Sequence, residues 1–178
     1  MKNRIKILLV CLIISHQGVG QMETMQSKLS FLEEHIVFSV PFIDSLKFDT
    51  NKADNVLSIE QIKLLKLDKV FSLEDYDNPK IGINYILNLS KQFKTIAFYF
   101  YSSDVELSST LVTYDSYFNV IDHMTVAMDE IAEGILWTES KIDTDLITIT
   151  HHMLMDEKTD VTKEYVEVGI DGKFTTKH

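Results

Sequence analysis

A chain of 178 residues carrying 27 acids against 17 bases has a net charge of −10 and is repelled by phosphate backbones and anionic lipid. That excludes nucleic acid and acidic membrane surfaces as expected partners. The single cysteine, Cys11, and the single arginine, Arg4, both lie in the first twenty residues. The rest of the chain therefore has no disulfides, no thiolate chemistry and no bidentate guanidinium clamp.

Those first residues read as a secretory signal peptide over 1–20. Lys2, Arg4 and Lys6 form a basic start, Ile7 to Ile14 an apolar run, and Gly18-Val19-Gly20 a small-x-small cleavage site before Gln21. The apolar run is too short to span a bilayer, so no membrane span is expected. Cys11 follows Val10 in the middle of that run, which does not fit a lipidated N-terminus. The expected location is periplasmic or secreted after cleavage near Gly20-Gln21, and residues 21–178 are expected to form a single α+β domain.

Residues 21–30 are expected to form a flexible leader. The run Ile36 to Phe42 contains Pro41, so any strand there lies at an edge or stops at the proline. Residues 44–57 read as a polar connection. Ser58-Ile59-Glu60-Gln61 is a capping-box pattern opening a short helix, with Ile59, Ile62 and Leu65 along one face. Residues 83–92 suit a second short helix, and a strand is the alternative.

From Lys94 the pattern changes to alternation rich in β-branched and aromatic residues, in the segments 95–102, 107–114, 117–128, 131–141, 145–155 and 162–170. Asp115-Ser116, Asp129-Glu130, Asp143-Thr144, Glu157-Lys158 and Asp171-Gly172 separate them, and Asp171-Gly172 is the strongest hairpin signal. Short links join antiparallel neighbours. The expected fold is α+β, with short N-terminal helices packed on a six- to seven-stranded antiparallel β-meander over 95–176.

Candidate chemistry is sparse. The stretch Asp49 to Gln61 imitates a calcium loop, but Asn55 stands for the glycine and Gln61 for the bidentate glutamate, so a capped loop explains it better. His151, Met153 and Met155 share a strand face, and with His123 they form the soft donor set a copper or zinc site would use. Ile147 and Ile149 occupy the same face, which makes core packing the stronger reading. Between Lys94 and Lys141 there is no base, and the acids there, Asp115, Asp129 and Glu130 among them, suggest a cation-attracting rim. No Gly-x-Ser-x-Gly elbow and no His-Glu-x-x-His helix occur, and no cofactor motif is present.

Phe31-Leu32, Val40-Pro41-Phe42, Leu57-Ser58-x-Glu60 and the Tyr114-Asp115…Ile121-Asp122 hairpin together resemble small exported hypothetical proteins of Bacteroidetes. The resemblance implies export and fold and carries no activity. It departs at Ser116–Phe118, where such proteins have glycine in the turn.

The leading expectation is an exported non-catalytic module, inhibitor-like in one form, that binds a protein or other macromolecule. Tyr99, Tyr101, Tyr114 and Tyr117 are its expected exposed aromatic patch, because Ile96, Phe98 and Phe100 take the opposite face. The alternative is a periplasmic soft-metal binder built on His123, His151, Met153 and Met155.

Overall fold

The computed structural model describes residues 29–47, 55–75, 80–103, 106–130, 136–155 and 158–177. The expected signal peptide and residues 21–28 of the expected leader lie outside them. Two units are distinguished, 1–35 and 36–178. The described part of the first contains a 3-10 turn, Ser30–Glu34.

The second unit is a ten-stranded mixed sheet. Its strands are β1 (Val37–Ser39), β2 (Phe42–Asp44), β3 (Lys80–Asn88), β4 (Lys94–Tyr101), β5 (Glu106–Tyr114), β6 (Val120–Glu130), β7 (Leu136–Ile142), β8 (Leu146–Met155), β9 (Lys158–Val168) and β10 (Phe174–Lys177). β3 to β10 follow one another in sequence order, each antiparallel to the next. β1 adds to β3 in parallel, and β2 pairs with β7.

This corrects the expected two-helix α+β arrangement. The described residues hold one α-helix, α1 (Ile59–Leu64). It is capped as its sequence dictates: the Ser58 hydroxyl accepts from the Gln61 amide and Gln61 Oε1 accepts from the Ser58 amide. Yet none of its six residues is fully buried. Leu65 and Leu67, just beyond its end, are the buried ones. The second expected helix is β3 together with the bend after it. Tyr85, Leu87 and Leu89 are buried at a spacing of two, which is a strand period.

One core cluster joins Tyr85, Leu87, Ala97, Leu111 and Val126 from β3–β6 to Ile142, Ile147, Ile149, Val166 and Val168 from β7–β9. The sheet therefore folds over so that its two halves face each other. The fold-over occurs where β6 and β7 part, since among the described residues they pair only at Met128↔Thr138 and Asp129↔Trp137. Further along the same side of β7, β2 takes over at Ser140 to Ile142. The segment Val37–Asp44 thus runs from the β3 edge to β7, and its Val40-Pro41 peptide is cis. Phe38, Phe42 and Tyr85 pack together there, with ring centroids 4.6 to 5.9 Å apart.

A buried polar cluster sits beneath this segment. Asp44, only 4% exposed, accepts from the Tyr85 hydroxyl at 2.7 Å and from the Ser109 hydroxyl at 2.6 Å. Burial, and then the Asp44 charge, push the Tyr85 hydroxyl far above the ordinary phenol value.

β4 is buried on both faces. On one, Gly82 pairs with Tyr99, and a Cβ at Gly82 would land on the Tyr99 phenol; the hydroxyl donates to the Asn55 carbonyl at 2.7 Å. On the other, Phe71 lies 4.9 Å from Phe100. At the far end Gly172 takes φ +83°, and its carbonyl accepts from the Thr113 hydroxyl at 2.7 Å, tying the β9–β10 turn to β5.

Candidate functional site

The expected tyrosine patch does not form. Tyr99, Tyr101 and Tyr114 are buried, and only Tyr117, 65% exposed, reaches the surface. The Tyr114 hydroxyl donates to the Leu65 carbonyl at 3.0 Å, and burial raises it well above the ordinary phenol value. The physical reason is that both faces of β4 are covered, so alternation there separates two interiors instead of inside from outside.

Asp115 is a turn residue. Its Oδ1 accepts from the amides of Tyr117 and Asn119, both at 2.8 Å, and its Oδ2 accepts from Asn119 Nδ2 at 2.7 Å. Burial pulls its carboxyl up, but Asn119, Tyr117 and nearby Lys66 together hold it below the ordinary value. Phe118 takes φ 57° in this turn. Asp129 and Glu130 belong to the end of β6 instead of a turn, and Glu130 stands opposite Glu106. The Asp115 turn and the Asp129–Glu130 pair lie at opposite ends of β6, so these acids do not converge on one rim.

The metal set is likewise not assembled. Thr138 pairs with both Met128 of β6 and His151 of β8, so His151 is two strand spacings from Met128. His123 lies five residues further along β6, roughly 16 Å away along the strand. His123, His151 and Met153 are exposed, not in the core. Ile147 and Ile149 are core residues as expected, but β8 outruns the core beyond Thr150. The Met155 side chain lies outside what is described. Among the described residues no group of three or more His, Cys, Asp or Glu side chains is placed to hold a metal ion.

A half-buried set of aromatic and charged side chains lies on the outer face of β7–β9. Trp137, Glu139 and Lys141 alternate with Thr138, Ser140 and Ile142, and the latter three are buried. One row across this face reads Asp129, Trp137, His152, Val161; the next reads Glu139, Thr150, Lys163. The His152 ring stacks on Trp137 at 4.6 Å with planes 3° apart. His152 Nε2 lies 3.3 Å from Glu139 Oε1, fixing the ring from its edge. Beside the stack is an open concavity of about 330 Å³ lined by Ser45, Leu46, Lys47, Asp129, Trp137, Thr138 and Glu139.

Leu154, Val161 and Tyr165 on the same face are exposed. Indole, imidazole and aliphatic groups next to two carboxylates form a surface suited to a cationic, partly apolar ligand. On the opposite face of β7, Thr138 Oγ1 meets His151 Nδ1 at 3.0 Å, and His151 Nε2 is 3.8 Å from Glu164, beyond hydrogen-bond distance. Thr138 sits within a strand paired on both sides.

Neither Trp137 nor His152 was among the expected site residues. The signal available was the alternation around His151-His152, which already places the two histidines on opposite faces. The chain matches no family model, no curated protein and no solved structure.

Proposed function

We propose that the protein is an exported, non-catalytic binding module whose outer β7–β9 face engages a cationic polypeptide. Export rests on the basic, apolar and small-residue order of residues 1–20. The observation that carries the binding reading is the Trp137–His152 stack held beside Asp129 and Glu139. An indole fixed by stacking presents area at little entropic loss, and the carboxylates supply attraction to lysine or arginine side chains. A partner of that charge also suits a chain of net charge −10.

The test is capture of cationic proteins from envelope and secreted fractions, identification of the partner, and titration with the purified pair. Trp137→Ala, and separately Asp129→Asn with Glu139→Gln, should each weaken binding by roughly tenfold or more without lowering the melting temperature. Undiminished affinity in Trp137→Ala refutes the site. N-terminal sequencing of the exported protein should begin near Gln21; an intact N-terminus in the exported fraction refutes the cleavage.

A further inference from the structure

We infer that the free edge of β9, Lys158–Glu164, pairs antiparallel with the same segment of a second copy to form a closed two-fold dimer. β8 pairs with β9 along its whole length, but β10 covers only Tyr165 to Val168. Among the described residues no strand covers Lys158–Glu164 on that side. Residues 158–163 are all exposed, Val161 at 51%.

The backbone polarity of this edge follows from its two ends. The Val168 amide donates to the Asp145 carbonyl on the β8 side, at 2.9 Å, and the Gly169 amide to the Lys173 carbonyl on the β10 side, at 2.8 Å. Alternation without a register shift then turns the N–H and C=O groups of Thr159, Val161 and Lys163 away from β8. An open row of this kind is a template for another strand.

Charge selects the partner and the register. The free segment holds Lys158, Asp160, Lys163 and Glu164 and is neutral overall, on a chain of net charge −10. Outward-facing residues must meet outward-facing residues, so a two-fold axis can fall only at a residue, not between two. An axis at Asp160 sets Asp160 against itself, and an axis at Thr162 sets Asp160 against Glu164. An axis at Val161 sets Lys158 against Glu164 twice, Asp160 against Thr162 and Lys163 against Thr159, with no like charges opposed. Lys158 and Glu164 then form non-hydrogen-bonded pairs, where side chains come closest.

The midpoint of the free segment is also Val161, so each copy fills the stretch that its partner's β10 leaves open. The edge lysines that normally discourage pairing are thereby matched. Such a contact is self-complementary and closes at two copies. It stands independently of the Trp137 site, although in the dimer the row Asp129–Trp137–His152–Val161 would continue into its symmetric copy.

Sedimentation velocity on the purified protein should show twice the protomer mass at high concentration. Lys158→Glu and Glu164→Lys should each weaken the dimer by about tenfold or more, because two attractive pairs become repulsive. An equal mixture of the two variants should restore it as a heterodimer. Lys158 is exposed, and melting curves check that folding is unchanged. Hydrogen exchange on the unaltered protein gives a second readout: the amides of Thr159, Val161 and Lys163 should slow as concentration rises. A monomer at every concentration, variants as dimeric as the parent, a mixture that stays monomeric, or exchange independent of concentration would each overturn the inference.

Discussion

Replacing Asp44 with alanine should be among the most damaging single changes in the sheet. The carboxylate is 4% exposed, and its Oδ2 accepts hydroxyl hydrogen bonds at 2.7 Å from Tyr85 and 2.6 Å from Ser109, themselves buried. Truncation strands two donors where water cannot replace the lost acceptor. Each stranded group costs about 1–3 kcal/mol, so the pair amounts to about 2–6 kcal/mol. A whole domain is stable by only about 5–15 kcal/mol. Asp44 also ends β2, so its loss loosens the segment that bridges β3 and β7. Urea unfolding followed by the fluorescence of Trp137, the single tryptophan, measures the change. Tyr85→Phe alone should cost about 1 kcal/mol, and Asp44→Ala with Tyr85→Phe should cost less than the two separately by a similar amount. Strict additivity, or a loss under about 1 kcal/mol for Asp44→Ala, would refute this account.

Burial raises the hydroxyls of Tyr85 and Tyr114, so the fold holds both in the neutral form. An unfolded phenol ionises near 10.0, so the stability they contribute is complete below that pH. It is lost above that pH, at up to about 1.4 kcal/mol per pH unit for each group. Absorbance titration should therefore leave at least two of the seven tyrosines un-ionised until circular dichroism reports unfolding; full ionisation with the fold intact would contradict this. Asp115→Ala removes the acceptor for two amides and the Asn119 side chain and should cost about 1–2 kcal/mol, a value discounted for its partial exposure. Because the folded carboxyl is held below its ordinary value, that penalty should be present at neutral pH and shrink as pH falls through the lowered value; a penalty unchanged in acid would count against it.

The strand array after Lys94 was legible because alternation and turn residues recur together, and the bounds shift by a few residues at most strand ends. Lys158–Val168 starts four residues early, and residues 131–135 of the expected strand 131–141 lie outside the described residues. Apart from the Ser58 cap and its short helix, the N-terminal half was not legible, for a different reason. β1 and β2 are three residues each, too short to show a period, and their partners lie in β3 and β7, far along the chain. Residues 83–92 carry apolar side chains at spacings that fit both periods, and only cross-strand partners decide between them. The tyrosine faces were assigned on the premise that one side of β4 meets water, and neither does. His151 and Met153 do sit on the face of Ile147 and Ile149, but the ribbon extends past the core that would have buried them. Asp44 fell in a stretch that read as a polar connection, and nothing local marks a carboxylate that tertiary structure will bury.

The bridging of β3 and β7 by residues 37–44 has a consequence for the order of events during synthesis. A ribosome releases Ile36, Val37, Phe38 and Ile43 early, but the β7 residues that pair with β2, Ser140 to Ile142, come roughly a hundred residues later. Until then β2 has no partner in the second half of the sheet. Closing so long a loop is slow, so the sheet cannot lock from its first strand onward. The two halves of the sheet are joined along this edge only once Ile142 has been made.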